Sequence, residues 1–364
     1  MKTKTLPPLD CRLDTWSDDA RLQQIYTGLA ILNREGKIRL HQNICSDPGA
    51  IGMKGLRAGS AHLQLTLNGT VRLFYDLTDQ GSLDQDLVKR VDYYFKRSFD
   101  AAKVAQMGDI KCNILPLGLN YPVYPDRFDW LSLRRAFAFG SLRHRLTQAL
   151  RVLDLGNRWS HLPRENYLNA PPNADAQPQV LFLVRAWDPE EFPGCTPNRT
   201  SHYHSVNEMR AHCVRALRSE FGGKFTGGFS HTDFAKSKYP DCLAPDSKLT
   251  SKSQYLELLK RFPICVTSGG LHGSIGWKMG EYVALSKAIV TERLSYQVPS
   301  PFEEGENFLA YDTPDGCVAA VRRLMDDPGL RTSMMQKNRE YFLQHLRPDV
   351  LVLRTLSEAL GHHP

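Results

Sequence analysis

An α/β fold of two Rossmann-like domains facing a cleft is the fold class that the sequence predicts, on three observations. The length of 364 residues exceeds what one core usually fills and suits two domains. Short apolar runs of strand character alternate with helical patterns, as in sheets of mainly parallel strands. Residues 169–179, rich in Pro, Asn and Ala, lack an apolar period and separate two halves of similar size.

The first half, residues 1–168, contains one clear helix and several short strands. Apolar residues recur at helical spacing in residues 20–33. The runs 62–67 and 71–75 flank Asn68-Gly69, which is typical of a hairpin but equally compatible with a break between two sheet strands. We expect further elements as strands at 37–42, 92–99 and 110–115, and as a basic helix at 134–151.

The second half, residues 180–345, alternates more regularly. Val180–Val184 and residues 263–267 are continuous apolar runs, as expected for buried parallel strands, and residues 288–291 form another. Helices are predicted at 205–220, at 251–259 behind a capping box, from near Ser274, and after Thr313 until Asp327-Pro328-Gly329. A last helix within 346–364 is expected to cross back onto the first domain.

Composition narrows the class of protein and of ligand. Lys and Arg number 46 against 39 Asp and Glu, and the net charge of +7 suits an anionic ligand without indicating nucleic acid by itself. The sequence has no apolar run of the length of a membrane-spanning helix, and residues 1–10, which lack an apolar stretch, are not expected to be a signal peptide. Eight scattered cysteines without a CxxC pair indicate reduced thiols, a cytoplasmic protein and no zinc site.

The most informative segment is the glycine-rich turn that follows the strand at 263–267. Gly269, Gly270 and Gly273 permit a tight turn with exposed backbone N–H groups, and a helix is expected to begin near Ser274. Such N–H groups and the helix dipole both favour a bound anion. The carboxyl ends of the strands in an open α/β sheet are also where ligands bind.

The predicted helix carries one polar stripe on an otherwise apolar surface. Ser274, Lys278 and Glu281 lie at i, i+4 and i+7 and therefore share a face. One interpretation is a Lys–Glu pair on a solvent-exposed strip. The position beside the glycine turn favours the other interpretation, a strip that faces a ligand, with a lysine for phosphate charge and a glutamate for sugar hydroxyls.

This part of the chain resembles the glycosyltransferases of the GT-B fold, specifically the C-terminal domain of the group 1 type. The run from Glu281 to Val290 is similar to their E-A-x-A-x-G-x-P-V-V segment, with Ser286 in place of Gly and Ala288 in place of Pro. Gly305-Glu-Asn307-Phe-Leu309 resembles their G-x-N-G-x-L turn. The resemblance extends from about Val180 to the C-terminus, and the first half has no counterpart.

The resemblance implies a nucleoside-diphosphate sugar as donor substrate, without a metal or other cofactor. Glu281 would bond the ribose, Arg185 would face the diphosphate, and Asn307 would join the donor site. The lysine usual about five residues after Arg185 is replaced by Glu190, so Lys278 is expected to supply that charge. The retaining branch has E-x7-E, whose first position is Gly273 here, so neither retention nor inversion is predicted.

Catalytic and acceptor groups are predicted from local patterns. His272, in the glycine turn, would donate to a phosphate or sugar oxygen, or is simply solvated. Asp76, at the end of a strand, is the predicted general base, as an inverting enzyme needs, while Asp79 is expected to cap the next helix. Lys96-Arg97 would contact phosphate or acceptor, or form a basic surface pair.

Three other patterns receive no chemical role. Asp84-Gln-Asp86 matches the metal-binding D-x-D of another glycosyltransferase fold, but it lies in a polar stretch, so no metal is assigned. The histidines, among them the terminal His362-His363, show no metal-ligand spacing. Arginines in residues 134–151 could contact DNA, or they form an ordinary solvated helix face.

The sequence therefore predicts a GT-B glycosyltransferase. The expected domains are an acceptor-binding domain at 1–168, a linker at 169–179, a nucleotide-sugar domain at 180–345 and a returning helix within 346–364. Two alternatives stay open: a sugar-nucleotide epimerase or hydrolase on the same fold, and a nucleic-acid-binding protein or DNA-modifying glycosyltransferase.

Overall fold

The structure is a computed structural model, and it describes residues 8–155, 160–191 and 196–361. Cys195 and His362-His363, considered above, lie outside the described residues. The chain divides into two compact units. The first consists of the described residues of Met1–Leu168, Gln297–Pro299 and Leu343–Pro364, and the second of those of Asn169–Tyr296 and Ser300–Phe342.

The secondary structure of each unit is α/β, and its elements alternate along the chain. The strands are β1 (Leu9–Thr15), β2 (Ile38–Ile44), β3 (His62–Leu67), β4 (Val71–Asp76), β5 (Tyr93–Lys96), β6 (Asn113–Pro116), β7 (Val180–Val184), β8 (Phe225–Phe229), β9 (Ile264–Thr267), β10 (Ala288–Glu292) and β11 (Leu309–Tyr311). The helices are α1 (Gln23–Arg34), α2 (Gln85–Val88), α3 (Ala101–Ala105), α4 (Trp130–Ala138), α5 (Leu142–Leu153), α6 (Pro197–Phe221), α7 (Asp233–Lys238), α8 (Lys252–Arg261), α9 (Trp277–Ala284), α10 (Pro314–Asp326), α11 (Pro328–Tyr341) and α12 (Pro348–Ala359). The predicted α/β class is confirmed.

The sheet of the first unit is mixed, with strand order β2-β1-β3-β4-β5-β6. β3 pairs antiparallel with both β1 and β4, and the other neighbours are parallel. Asn68 and Gly69 have φ of 47° and 73° between β3 and β4, so the hairpin interpretation is correct. Strand β1 has no counterpart among the predicted elements, because its alternating charged residues lack a continuous apolar run.

The sheet of the second unit is fully parallel, with strand order β11-β10-β9-β7-β8. The order reverses between β7 and β9, because β7 leads outward to β8 whereas β9 continues to β10 and β11. In open α/β sheets such a reversal opens a crevice at the carboxyl ends of the strands, where ligands bind. The segments that follow β7 and β9 therefore define the place to look for a site.

Helix α12 belongs to the first unit, where it packs along α1. Leu351, Val352 and Leu356 of α12 join the core formed by α1 and the first sheet. The two helices approach so closely that a Cβ on Gly28 would lie 2.2 Å from the carbonyl oxygen of Pro348, and only glycine fits there. A chain that leaves the first unit after Leu168 thus returns to it from Leu343.

Local corrections concern helix ends. The helix predicted at 134–151 is two helices, α4 and α5, because the chain turns at Gly140 with φ +80°. The helix expected from near Ser274 begins at Trp277. Helix α8 begins where the capping box was expected, although the Ser251 side chain forms no cap hydrogen bond.

Candidate functional site

Arg210 of α6 forms hydrogen bonds with both segments at the reversal of strand order, the one that follows β7 and the one that follows β9. Its side chain is buried and donates to three groups: Nε to Ser268 Oγ (2.8 Å), one terminal nitrogen to the Arg185 carbonyl (2.7 Å) and the other to the Gly269 carbonyl (2.9 Å). Burial lowers the pKa of Arg210 to about 10, against the opposing influence of Glu292, so the guanidinium stays charged at neutral pH. A buried cation thus fixes the glycine turn relative to the end of β7.

A cavity of about 230 Å³ opens beside this turn, entirely within the second unit. Its wall contains the glycine turn, the start of α9, the end of β10 and part of α6. The cavity-lining residues include Thr267, Gly269, Gly270, Gly273, Ser274, Thr291 and Glu292. Four of the predicted donor-site residues, Gly269, Gly270, Gly273 and Ser274, therefore line one cavity.

Three hydroxyl groups of this cavity have no partner. Thr267, Ser274 and Thr291 are each at least 95 % buried, and within the described part of the chain their hydroxyls form no hydrogen bond. The hydroxyl oxygens themselves are not sealed in the interior, because they reach the cavity that these residues line. They are therefore available to form hydrogen bonds with a polar ligand.

Glu292 contributes a carboxylate to the same cavity. It is the last residue of β10, and its Oε2 accepts a hydrogen bond from the Gly269 N–H at 2.5 Å. Burial raises the pKa of Glu292, opposed by the Gly269 N–H and the nearby charge of Arg210. This carboxyl group borders the cavity, where it can accept hydrogen bonds from ligand hydroxyls or hold a proton.

His272 supports the cavity wall through His202 of α6. The backbone of His272 is left-handed (φ +61°), and its N–H donates to Nε2 of His202 at 3.1 Å. The two rings stack with centroids 6.2 Å apart. Since Nε2 of His202 accepts this bond, its proton lies on Nδ1. His202 lines the cavity, and the predicted catalytic role of His272 stays a prediction.

Lys278 and Glu281 form a second polar cluster, which joins α8 and α9. Glu281 is buried, with Oε1 accepting from Lys252 Nζ (2.6 Å) and Oε2 from the Tyr255 hydroxyl (2.7 Å). Both carboxylate oxygens are engaged inside the unit, so the predicted ribose contact of Glu281 does not agree with the structure. Because α9 begins at Trp277, Ser274 is not part of a stripe with these residues.

The ammonium group of Lys278 has an unusual environment. Its Nζ lies 4.0 Å from the ring centroid of Tyr255, and among the described residues it has no salt bridge or hydrogen bond. The alternative interpretation, a surface pair of Lys278 with Glu281, is therefore not realised. Burial lowers the pKa of Lys278 to about 8, opposed by the charge of Glu281. At neutral pH the group is a cation that lacks an anionic partner of its own.

The remaining predicted donor residues differ in their availability. The exposed guanidinium of Arg185 pairs with Glu191 and lies 5.3 Å from the Trp187 ring. Exposed ion pairs are weak, so this pair does not prevent a phosphate contact. Asn307 is 4 % exposed, accepts from the Glu303 N–H (2.9 Å) and donates to Asn338 (3.1 Å). The Asn307 side chain thus holds its own turn against α11, and its predicted place in the donor site stays a prediction.

Asp76, the predicted general base, is buried and fully bonded. Its Oδ2 accepts from the Tyr94 hydroxyl (2.6 Å) and Lys96 Nζ (2.8 Å), and its Oδ1 from the N–H and hydroxyl of Thr78 (2.9 and 2.7 Å). Burial raises the pKa of Asp76, but donation by His62 and the charge of Lys96 outweigh it and hold the pKa well below its usual range. A base must accept a proton near working pH, and these contacts oppose protonation of Asp76, whose role as general base stays a prediction.

Lys96 and Arg97 likewise do not face an acceptor. Lys96 is 1 % exposed and donates to Asp76 and to the Thr78 hydroxyl (2.8 Å). Arg97 is buried and pairs with the half-exposed Asp79 at 2.6 Å. Both cations neutralise carboxylates inside the first unit, and neither a contact with acceptor nor a surface pair describes them.

Neither a metal cluster nor a bilayer-spanning helix occurs in the part of the chain that the structure describes. No group of three or more His, Cys, Asp or Glu side chains is arranged there to hold a metal ion. Asp84 of the D-x-D match caps α2, accepting from the N–H groups of Asp86 and Leu87 at 3.0 Å. None of the described helices is long and apolar enough to cross a membrane.

Residues of the site that are absent from the sequence-based set include Arg210, Thr267, Thr291 and Glu292. Arg210 lies within a helix rich in charged residues, where nothing distinguishes a buried arginine from a solvated one. Thr291 and Glu292 end an apolar strand beside the one that precedes the glycine turn, and that position is a usable signal, because neighbouring parallel strands end at the same edge.

The solved structures to which this chain is similar share little sequence with it. A mutant of TarM from S. aureus, in complex with fondaparinux, α-GlcNAc-glycerol and UDP, is 13 % identical, with TM-score 0.44, over 87 % of this chain and 55 % of that one. HepE of Anabaena, in complex with UDP, is 11 % identical, with TM-score 0.36, over 96 % and 98 %. A putative UDP-N-acetylglucosamine 2-epimerase of Listeria monocytogenes is 8 % identical, with TM-score 0.39, over 97 % and 96 %. This chain thus spans about half the length of the TarM chain.

The comparison with curated proteins gave no match. In contrast, residues 210–351 match the model of a family described as glycosyl transferase-like. The matched segment begins at Arg210 and contains the glycine turn, Thr291 and Glu292. The predicted resemblance to glycosyltransferases is thereby confirmed for residues 210–351, which are similar to this glycosyl transferase-like family.

Proposed function

We propose that the protein transfers a sugar from a nucleoside-diphosphate sugar to an acceptor hydroxyl, and that the cavity beside the glycine turn receives the donor. One observation carries the proposal: three hydroxyls without hydrogen-bond partners among the described residues, together with one carboxylate, line a cavity beside the glycine turn, which lies in the segment that matches the glycosyl transferase-like family. A sugar ring presents hydroxyl groups that suit such a wall. The position at the carboxyl ends of the strands agrees with it.

The charges of the unit support a diphosphate beside the sugar. Lys278 offers an ammonium without an anionic partner among the described residues, and Arg185 is held by an exposed ion pair that a phosphate could replace. The start of α9 has no side-chain cap and adds backbone N–H groups. Developing charge on a leaving diphosphate would be stabilised by these fixed groups. We propose no metal for this step.

The direct test is a melting experiment with UDP-, GDP-, CMP- and ADP-linked sugars. We expect one of these to raise the melting temperature, because a ligand bound only by the folded state stabilises it. Thr291→Val removes a cavity hydroxyl at nearly constant volume and should weaken that shift. Thr226→Val, on the same sheet and outside the cavity, is the matched control and should preserve it.

The outcomes separate the hypotheses. If no sugar nucleotide stabilises the protein, the proposal fails. If stabilisation survives Thr291→Val and Ser274→Ala unchanged, the cavity is not the donor site. Consumption of the stabilising sugar nucleotide at the same rate with and without acceptor pools would identify an epimerase or hydrolase instead.

A further inference from the structure

Helices α4 and α5 expose an apolar surface that nothing in the first unit covers. We define the α4–α5 surface as the exposed large apolar side chains of this segment: Phe128, Trp130, Phe137, Leu142, Leu146, Leu150 and Leu153. Trp130 is 68 % and Leu142 is 73 % exposed. The four leucines recur at i, i+4, i+8 and i+11, so they form one stripe. Single exposed apolar residues are ordinary, but a contiguous group marks an interaction site.

The direction of this surface is fixed by the buried face of α4. Arg135 is 2 % exposed, with its guanidinium carbon 4.0 Å from the Tyr26 ring centroid and Nε 3.8 Å from Asp18. Ser132 and Ala136 are buried beside it. Because these side chains face the first unit, Trp130 and Phe137 must face outward.

Positive charge predominates on the two helices. Residues 130–153 contain five arginines, of which Arg135 is buried, and neither Asp nor Glu, while Asp126 and Asp129 lie just before α4 and Asp129 caps it. Arg127, Arg134 and Arg143 are exposed, and within the described residues their guanidinium groups have no salt-bridge or hydrogen-bond partner. An apolar stripe flanked by unpaired cations is the composition of a helix that lies in a membrane interface.

We infer that the α4–α5 surface docks on an anionic lipid bilayer, with Trp130 and the leucines entering the headgroup boundary and the arginines binding lipid phosphates. A second copy of the chain would oppose cations to cations at this surface, which disfavours self-association. Nucleic acid would use the arginines but leave the leucines without an apolar partner. Since no described helix can span a bilayer, the contact is peripheral.

Vesicle co-sedimentation of the full chain tests this inference. We expect binding to vesicles of equal parts phosphatidylcholine and phosphatidylglycerol, and much less binding to pure phosphatidylcholine. The double variant Leu146→Glu with Leu150→Glu should lower the partition coefficient at least about tenfold, since two leucines leave the interface. Leu353→Glu, on α12 and 41 % exposed, is the matched control and should not change it.

Two further variants separate charge from fold. Arg134→Gln with Arg143→Gln should lower binding to the anionic vesicles about thirtyfold, since each cation near the surface contributes about 1 kcal/mol and about 1.4 kcal/mol is a tenfold change. Trp130→Ala should melt like the wild type, because this side chain is largely exposed, and should still bind vesicles less. Tryptophan fluorescence of the wild type should shift to shorter wavelength when vesicles are added. This shift should disappear in Trp130→Phe.

Three results would overturn the inference. One is vesicle binding that the leucine and Trp130 variants leave unchanged. Another is a dimer in light scattering that Leu146→Glu dissociates, which would assign the surface to a second copy. The third is retention on DNA that depends on Arg134 and Arg143 without any vesicle binding. None of these readouts depends on the proposed sugar-transfer function, so either proposal can fail alone.

Discussion

The carboxyl ends of the strands carry polar groups in both sheets, but in opposite states. In the first unit Asp76 and Lys96 neutralise each other and are buried. In the second unit Thr267, Ser274 and Thr291 line a cavity, and their hydroxyls have no hydrogen-bond partner within the described residues. A fully bonded cluster has no capacity for a ligand, whereas unsatisfied groups at a cavity do. Whether its polar groups are free to form new hydrogen bonds, rather than whether they are charged, distinguishes a binding site from an internal ion pair.

The largest expected effect concerns the ion pair of the first unit. Asp76→Ala should destabilise the protein by about 3–5 kcal/mol, because the buried ammonium of Lys96 would be left unpaired. Denaturant unfolding measures the change. Glu35→Ala, which removes the exposed pair with Lys37, should cost about 1 kcal/mol or less. If Asp76→Asn keeps wild-type stability but loses sugar transfer, Asp76 acts as the base. The contrast between a bonded cluster in the first unit and a binding site in the second would then fail.

The pH dependence of stability tests whether Asp76 is held in its charged form inside the first unit. The pKa of Asp76 lies well below its usual range in the folded state. Its contribution is therefore present above the unfolded pKa of about 4 and is lost as the pH falls below that value. Urea midpoints measured from neutral to acidic pH should fall, and the fall should be smaller in Asp76→Asn. Equal slopes for the two proteins would contradict the assignment.

Next in size is the effect of filling the glycine turn. A Cβ on Gly270 would lie 2.5 Å from Ser274 Oγ and 3.0 Å from the Ser274 carbonyl oxygen. Gly270→Ala should therefore displace the cavity wall and weaken sugar-nucleotide binding about tenfold or more, as measured by calorimetry. Gly223→Ala, where a Cβ meets nothing within 4 Å, should bind normally. Equal binding by the two variants would remove the turn from the site.

A smaller and more specific effect is expected at Glu292. Glu292→Gln keeps the size of the side chain and its bond from the Gly269 N–H but removes the charge. Affinity for the sugar nucleotide should fall about tenfold, whereas affinity for the free nucleoside diphosphate should change little, since the proposed contact is to the sugar. Parallel losses for both ligands would place Glu292 at the diphosphate instead.

The smallest expected effect is the titration of Lys278. Its pKa of about 8 means that the ammonium loses its charge as the pH rises through that value. Nucleotide affinity should consequently weaken a few-fold between neutral and mildly alkaline pH. Lys278→Arg, which stays protonated there, should show a flatter profile, and a steep profile in that variant would exclude Lys278 as the titrating group.

The α/β class, the parallel strands of the second sheet and the glycine turn at the end of a strand could be predicted from the sequence alone, whereas Asn68-Gly69 left a hairpin and a strand break equally possible until the pairing of β3 with β4 was known. These features depend on local periodicity and on backbone conformations that few residues adopt. The sequence also located the glycosyl transferase-like segment, because its motifs keep their order along the chain.

Which polar groups are hydrogen-bonded inside the protein depends on its tertiary structure. Glu281 is bonded by Lys252 and Tyr255 of another helix, and the turn is held by Arg210, 58 residues before Ser268. The leucines of α5 have the spacing of a buried face, yet they lie outward. Partners that come from distant segments are set by packing, and no local pattern encodes them, so charge and spacing indicated candidate residues without showing which ones remain available.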